Sequence, residues 1–201
     1  MRLRLLATLA AVLAMLVAAV PAQAVVHRDT TAVRSFADTS VVGSSTLIRH
    51  AGSVQVTLRA SNVPTGHVVT VWWIVFNHPE FCQFGEPANA STGFAGTRCG
   101  AGDLGIVPGL TADPRVDPLV TYAAGHVTGG AGVASYASYL SAGAPKGQIL
   151  IGSALTNPLG ADIHLVVHDH DAIANLGKVG EEIHSFGTGP GTDLDFAAHE
   201  T

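Results

Sequence analysis

Residues 161–171 read ADIHLVVHDHD. On a β-strand alternate side chains share a face, so Asp162, His164, Val166, His168 and His170 fall on one side. Imidazole is the commonest metal ligand, and zinc or copper is the ion that clustered histidines suggest. Same-face residues two apart lie roughly 6.6 Å apart at Cα, and those four apart roughly 13 Å. With zinc–nitrogen bonds of about 2.0–2.1 Å, His168 and His170 can share one ion, whereas His164 needs a bulge or a separate site. A third ligand must come from elsewhere. Asp162, Asp169, Asp171, His126 of AAGHVTGG and His67 of TGHVV are of the right type. Asp169 points to the other face of a regular strand, from where it could orient an imidazole of a neighbouring turn. The competing reading has no metal: His164 is a part-buried strand residue bonded to backbone, and His168 and His170 stand solvated at the strand's end among aspartates.

Other chemistry is only faintly written. GTRCGAGDLG and GTGPGTDLD pair glycines with an aspartate, but neither follows a strand and opens a helix, as a phosphate loop must. The G-x-S-x-G turn of a hydrolase serine does not occur. Trp72 and Trp73 face opposite sides of one strand, so both are expected to fill core.

The histidine segment must be positioned by strands, because strands are what the chain spells. SVQVTLRA puts Val54, Val56, Leu58 and Ala60 on one face and polar residues on the other, and VVGSSTLIRH before it ends in a turn that pairs the two as a hairpin. HVVTVWWIVF is apolar on both faces, as a central strand covered from both sides would be. PLVTYAAGHV, GVASYASYL and QILIGSAL follow as further candidates, separated by glycine-rich turns. Residues 82–110, rich in Gly, Ala, Ser and Pro, read as a long loop. No window shows a sustained helical period. The expected fold is all-β: a single antiparallel sandwich, Greek-key and of superoxide dismutase-like or immunoglobulin-like type, over residues 41–186, after an N-terminal arm at 25–40 and before a flexible tail at 187–201.

The amino terminus fixes an expected destination. Arg2 and Arg4, an apolar run from Leu5 to Val20, Pro21 and then Ala22-Gln23-Ala24 have the layout of a secretory signal peptide over 1–24. Beyond it the longest apolar stretch, VVTVWWIVF, is too short to span a bilayer as a helix, so no membrane insertion is expected after cleavage. Without Arg2 and Arg4, eight Lys and Arg face fifteen Asp and Glu, a formal charge of −7. An acidic surface repels phosphate backbones, which argues against a nucleic-acid partner. Cys82 and Cys99 are the two cysteines, and in an oxidising compartment such a pair reads as a disulfide stapling the loop.

The phrases GHVVTVWWIVFNHPEFC, CGAGDLG, YAAGHVTGGAG and TNPLGADIHLVVHDH resemble those of a family of exported bacterial β-sandwich proteins, from about Gly52 to Phe186. The resemblance implies export and a shared fold but no activity. Against the family's pattern the chain matches at His164 and His170, and departs at His168, where arginine is usual, and at Asp171, where glycine is usual. More distantly, short strands with a late histidine-bearing strand are similar to chordin-type modules and to copper–zinc superoxide dismutases. The expected function is a secreted, non-catalytic binding or envelope-associated module with an extracellular ligand. The alternative is an extracellular metal-binding protein or metalloenzyme using zinc or copper at His168, His170, His164 and His126.

Overall fold

The computed structural model describes residues 27–173, 177–185 and 192–201. The expected signal peptide at 1–24 lies outside them, as do residues 25–26 of the arm and 187–191 of the tail. The strands are β1 (His27–Ser35), β2 (Val41–His50), β3 (Ser53–Ser61), β4 (His67–Phe76), β5 (Pro118–Val127), β6 (Val133–Ser141), β7 (Ile149–Ile151), β8 (Asp162–Ala172) and β9 (Thr192–His199). Among the described residues, helix is confined to short pieces such as α1 (Val179–Glu182) and three 3-10 turns, and none is long and apolar enough to cross a membrane.

The doubly apolar strand β4 behaves as its composition demands. Val69, Val71, Trp73 and Val75 enter one core with β3, β6 and β8, while Trp72, Ile74 and Phe76 enter a second on the opposite face. Trp72 and Trp73 are both fully buried, one in each core. The larger core lies inside the curve of the sheet; the smaller lies outside it, under the loop stapled by the Cys82–Cys99 disulfide. That bond fits a non-cytoplasmic, oxidising setting.

The nine strands form one sheet in the order β6-β3-β2-β1-β9-β8-β4-β5-β7, all neighbours antiparallel. The all-β antiparallel expectation holds, but two separate facing sheets do not form: the sheet is continuous and curls into a half-barrel. Its curl brings β6 back towards β5, where Ser138 Oγ donates to the Ala123 carbonyl at 2.9 Å. The reason is β9. It pairs with β1 on one side and β8 on the other, joining what would otherwise be two four-stranded halves.

Two segment expectations are corrected, each by a strand. The N-terminal arm is β1 from His27 onward, paired along its length with β2. The tail from Thr192 is a central strand in which Asp195, Phe196, Ala197 and His199 are buried. In β1 Val33 alone is buried, and in β9 the buried face carries Asp195 and His199, so neither strand shows an apolar stripe.

Candidate functional site

Along β8 the outward residues meet three different environments. His164 lies edge-on to Phe76, with ring centroids 5.2 Å apart, and its Nε2 is 2.9 Å from Glu200 Oε1. His168 Nδ1 is 3.0 Å from Asp193 Oδ1, directly across the strand pair. His170 Nε2 is 3.0 Å from Thr70 Oγ1, which also accepts the Trp72 indole N–H at 2.9 Å. The rings of His168 and His170 do meet, 4.7 Å apart and nearly perpendicular. His164 stays apart from them, as the straight-strand spacing requires. His126 lies elsewhere: its ring packs 4.6 Å from Tyr136 of the inner core, and burial lowers its pKa.

The plain alternative is corrected as well. His168 and His170 are buried, not solvated, and His164 bonds a carboxylate rather than backbone. The partners of His168 and His164 come from β9, which supplies Asp193 and leads directly into Glu200. The signal that could have revealed it is the alternation in TDLDFAAHE: Asp195, Ala197 and His199 on one face, Phe196 and Glu200 on the other.

Among the described residues, two sets of three potential ligands converge to within 4.8 Å. One is Cys82, Cys99 and Asp103, whose sulfurs are bonded to each other. The other is His67, Asp169 and Asp171. His168 and His170 belong to neither set. The expectation that Asp169 orients an imidazole from a neighbouring turn matches its contact with His67, which follows the turn at Gly66.

A concavity lies over the outer core. It has a volume of about 790 Å³, between the disulfide loop and the faces of β4, β8 and β9. Ile74, Phe76, Val166, Phe94 and Phe196 supply apolar walls, and exposed Phe36 and Ile106 extend them to the mouth. The roof is held open by its own hydrogen bonds. Asp103, fully buried, accepts from the backbone N–H of Gln83, Phe84 and Gly100 at 2.7–3.1 Å, tying the two cysteine arms together. Gly100 is needed there, since a Cβ would lie 2.1 Å from the Phe84 carbonyl oxygen. The loop is anchored to the end of β9 through Arg98, whose backbone N–H donates to Glu200 Oε2 at 3.0 Å and whose guanidinium donates to the Thr201 carbonyl at 3.0 Å.

His164 lines this groove, backed by two carboxyls. Asp162, fully buried, accepts from the Thr201 N–H at 2.7 Å and the Thr201 hydroxyl at 2.8 Å. Burial, then the neighbouring Glu200, pushes its pKa up to about 6. Burial pushes Glu200 up too, but hydrogen bonds from His164 and the Arg98 N–H outweigh it and leave it low. The cluster can hold and exchange a proton.

A serine–histidine–aspartate chain is found on the inner face. Ser45 Oγ is 2.9 Å from His199 Nε2, and His199 Nδ1 bonds Asp29. Ser45 and His199 are buried, so no substrate carbonyl can reach the hydroxyl. Comparison with family models, curated proteins and solved structures finds no match to this chain.

Proposed function

We propose that the protein is an exported, non-catalytic binding module that holds an apolar small molecule between the disulfide loop and the outer face of β4, β8 and β9. The groove carries the reading: its volume of about 790 Å³ is that of a small-molecule site, and its walls are aromatic and aliphatic with an imidazole in the floor. The Nε2 of His164 is engaged by Glu200, which leaves Nδ1 as the ring nitrogen for a ligand's polar end. A lipid-like molecule with one hydrogen-bonding head therefore fits. Export is supported by the charged, apolar and small-residue layout of residues 1–24 and by the disulfide.

Titration with the apolar fluorophore N-phenyl-1-naphthylamine tests the groove. Saturable fluorescence enhancement is expected in the parent, and Ala101→Trp, which places an indole among the lining residues from an exposed position, should weaken it at least about tenfold. Absence of saturable binding, or equal binding by Ala101→Trp, would overturn the reading.

A further inference from the structure

We propose that His67, Asp169 and Asp171 form a site for a divalent cation of the zinc class, where β4 begins and β8 ends. The site is separate from the groove: Asp169 lies across the strand pair from Val69, a residue of the inner core.

The donors converge. His67 Nδ1 lies 2.8 and 2.9 Å from the two oxygens of Asp169, and a ligand oxygen of Asp171 falls within the same 4.8 Å cluster. Ligands bonded to one zinc at about 2.0–2.2 Å stand somewhat over 3 Å from each other, so only small side-chain movements are needed to admit the ion. Binding would replace the His67–Asp169 hydrogen bond, with the Nδ1 proton released to solvent.

The backbone beneath is already fixed. The His67 N–H donates to Thr128 Oγ1 at 3.1 Å and its carbonyl accepts the Thr128 N–H at 2.9 Å. His67 lies opposite Ala172, and the Asp171 N–H donates to Asp169 Oδ1 at 2.9 Å. Asp171 is held at φ +70°, a left-handed conformation that most side chains avoid.

Charge supplies an independent argument. Asp169 is 4% exposed, and Asp195, 6% exposed, lies one diagonal step away on the same inner face, paired with Val167. Among the described residues, neither carboxylate has a Lys or Arg within ion-pair distance; Asp169 has the imidazole of His67 as its side-chain partner. A buried carboxylate is costly without a compensating partner, and the cluster offers Asp169 one imidazole and a second carboxylate, Asp171, with which to hold a dication.

One imidazole nitrogen and two carboxylate oxygens suit zinc with a fourth position open to solvent, and exposed Asp171 provides that opening. Calcium, which takes six to eight oxygens, is poorly served.

Isothermal titration calorimetry on tag-free, EDTA-dialysed protein at pH 7.5, using zinc chloride and then calcium chloride, tests the site. One zinc per chain is expected, with a rise in melting temperature, and no comparable calcium binding. Asp171→Gly relieves the left-handed backbone while removing a ligand, so it should fold at least as well without metal and lose more than about tenfold in zinc affinity. His168→Ala/His170→Ala should retain the zinc. No zinc binding, undiminished binding by Asp171→Gly, or loss confined to His168→Ala/His170→Ala would overturn the proposal.

Discussion

Ser45, His199 and Asp29 show how far a familiar constellation depends on where it is placed. The chain of bonds is the one hydrolases use, and the roles could be assigned by geometry alone. Its hydroxyl, however, is 0% exposed, and with His199 it ties β2 and β1 to the last turn of β9. The same end is held by Arg49, also buried, which donates to the carbonyls of Ala161 at 2.6 Å and His199 at 3.0 Å. Burial lowers the Arg49 pKa, and the charges of Asp29 and Asp162 partly restore it. The expected behaviour is that of a structural lock. A fluorophosphonate probe should leave Ser45 unmodified, and Ser45→Ala should lower the urea-unfolding free energy by about 1–2 kcal/mol, since it strands a buried imidazole nitrogen. Labelling that Ser45→Ala abolishes would mean the site opens and the lock reading is wrong.

At the scale of elements, the disulfide loop is both roof and staple. Replacing Cys82 and Cys99 with serine removes a cross-link between positions 17 apart. The expected loss is about 3 kcal/mol in the chain-entropy picture, measured by urea unfolding, together with weaker N-phenyl-1-naphthylamine binding as the roof loosens. Unchanged probe affinity in the serine variant would show that the loop does not shape the groove. The elements legible in the sequence were those carrying their own pattern. β3 alternates, β4 is apolar throughout, and β5 is bounded by a proline and a glycine-rich turn; the stapled loop follows from cysteine usage. β1 was hard to read because Val33 alone of its residues is buried, and β9 because Asp195 and His199 sit on its buried face, where an apolar stripe would be sought. The pair His168 and His170 could be read from spacing, whereas their partners Asp193 and Thr70 depended on strand order, which no local pattern encodes. Strand order likewise decided between two sheets and one.

For the molecule as a whole, acidity is the variable that the buried carboxyls control. Burial alone pushes Asp195 up to about 6, above its ordinary 3.8. A raised carboxyl pKa means that the folded state binds the proton more tightly than the unfolded chain does. The favourable contribution is thus complete below about pH 4 and is lost as pH rises towards about 6. His126, lowered by burial, works in the opposite sense, since protonation of the unfolded chain below its ordinary 6.5 costs stability. Comparing Asp195→Asn with the parent at each pH cancels such other terms. The variant should be more stable at pH 7.5 by about 1–3 kcal/mol, and the gap should close near pH 4. A gap independent of pH would place the effect in packing rather than in charge.

The position of β9 also dictates when the protein can fold. The strand lying between β1 and β8 comes from the carboxyl end of the sequence, so a growing chain has a gap in the middle of its sheet until residues 192–199 arrive. Until then β1 and β8 each present an unpaired edge, the kind of surface on which strands of neighbouring chains add and aggregates begin. A chain in which residues 192–199 are not yet in place is therefore expected to be more open to chaperones, proteases and its own copies than one in which they are.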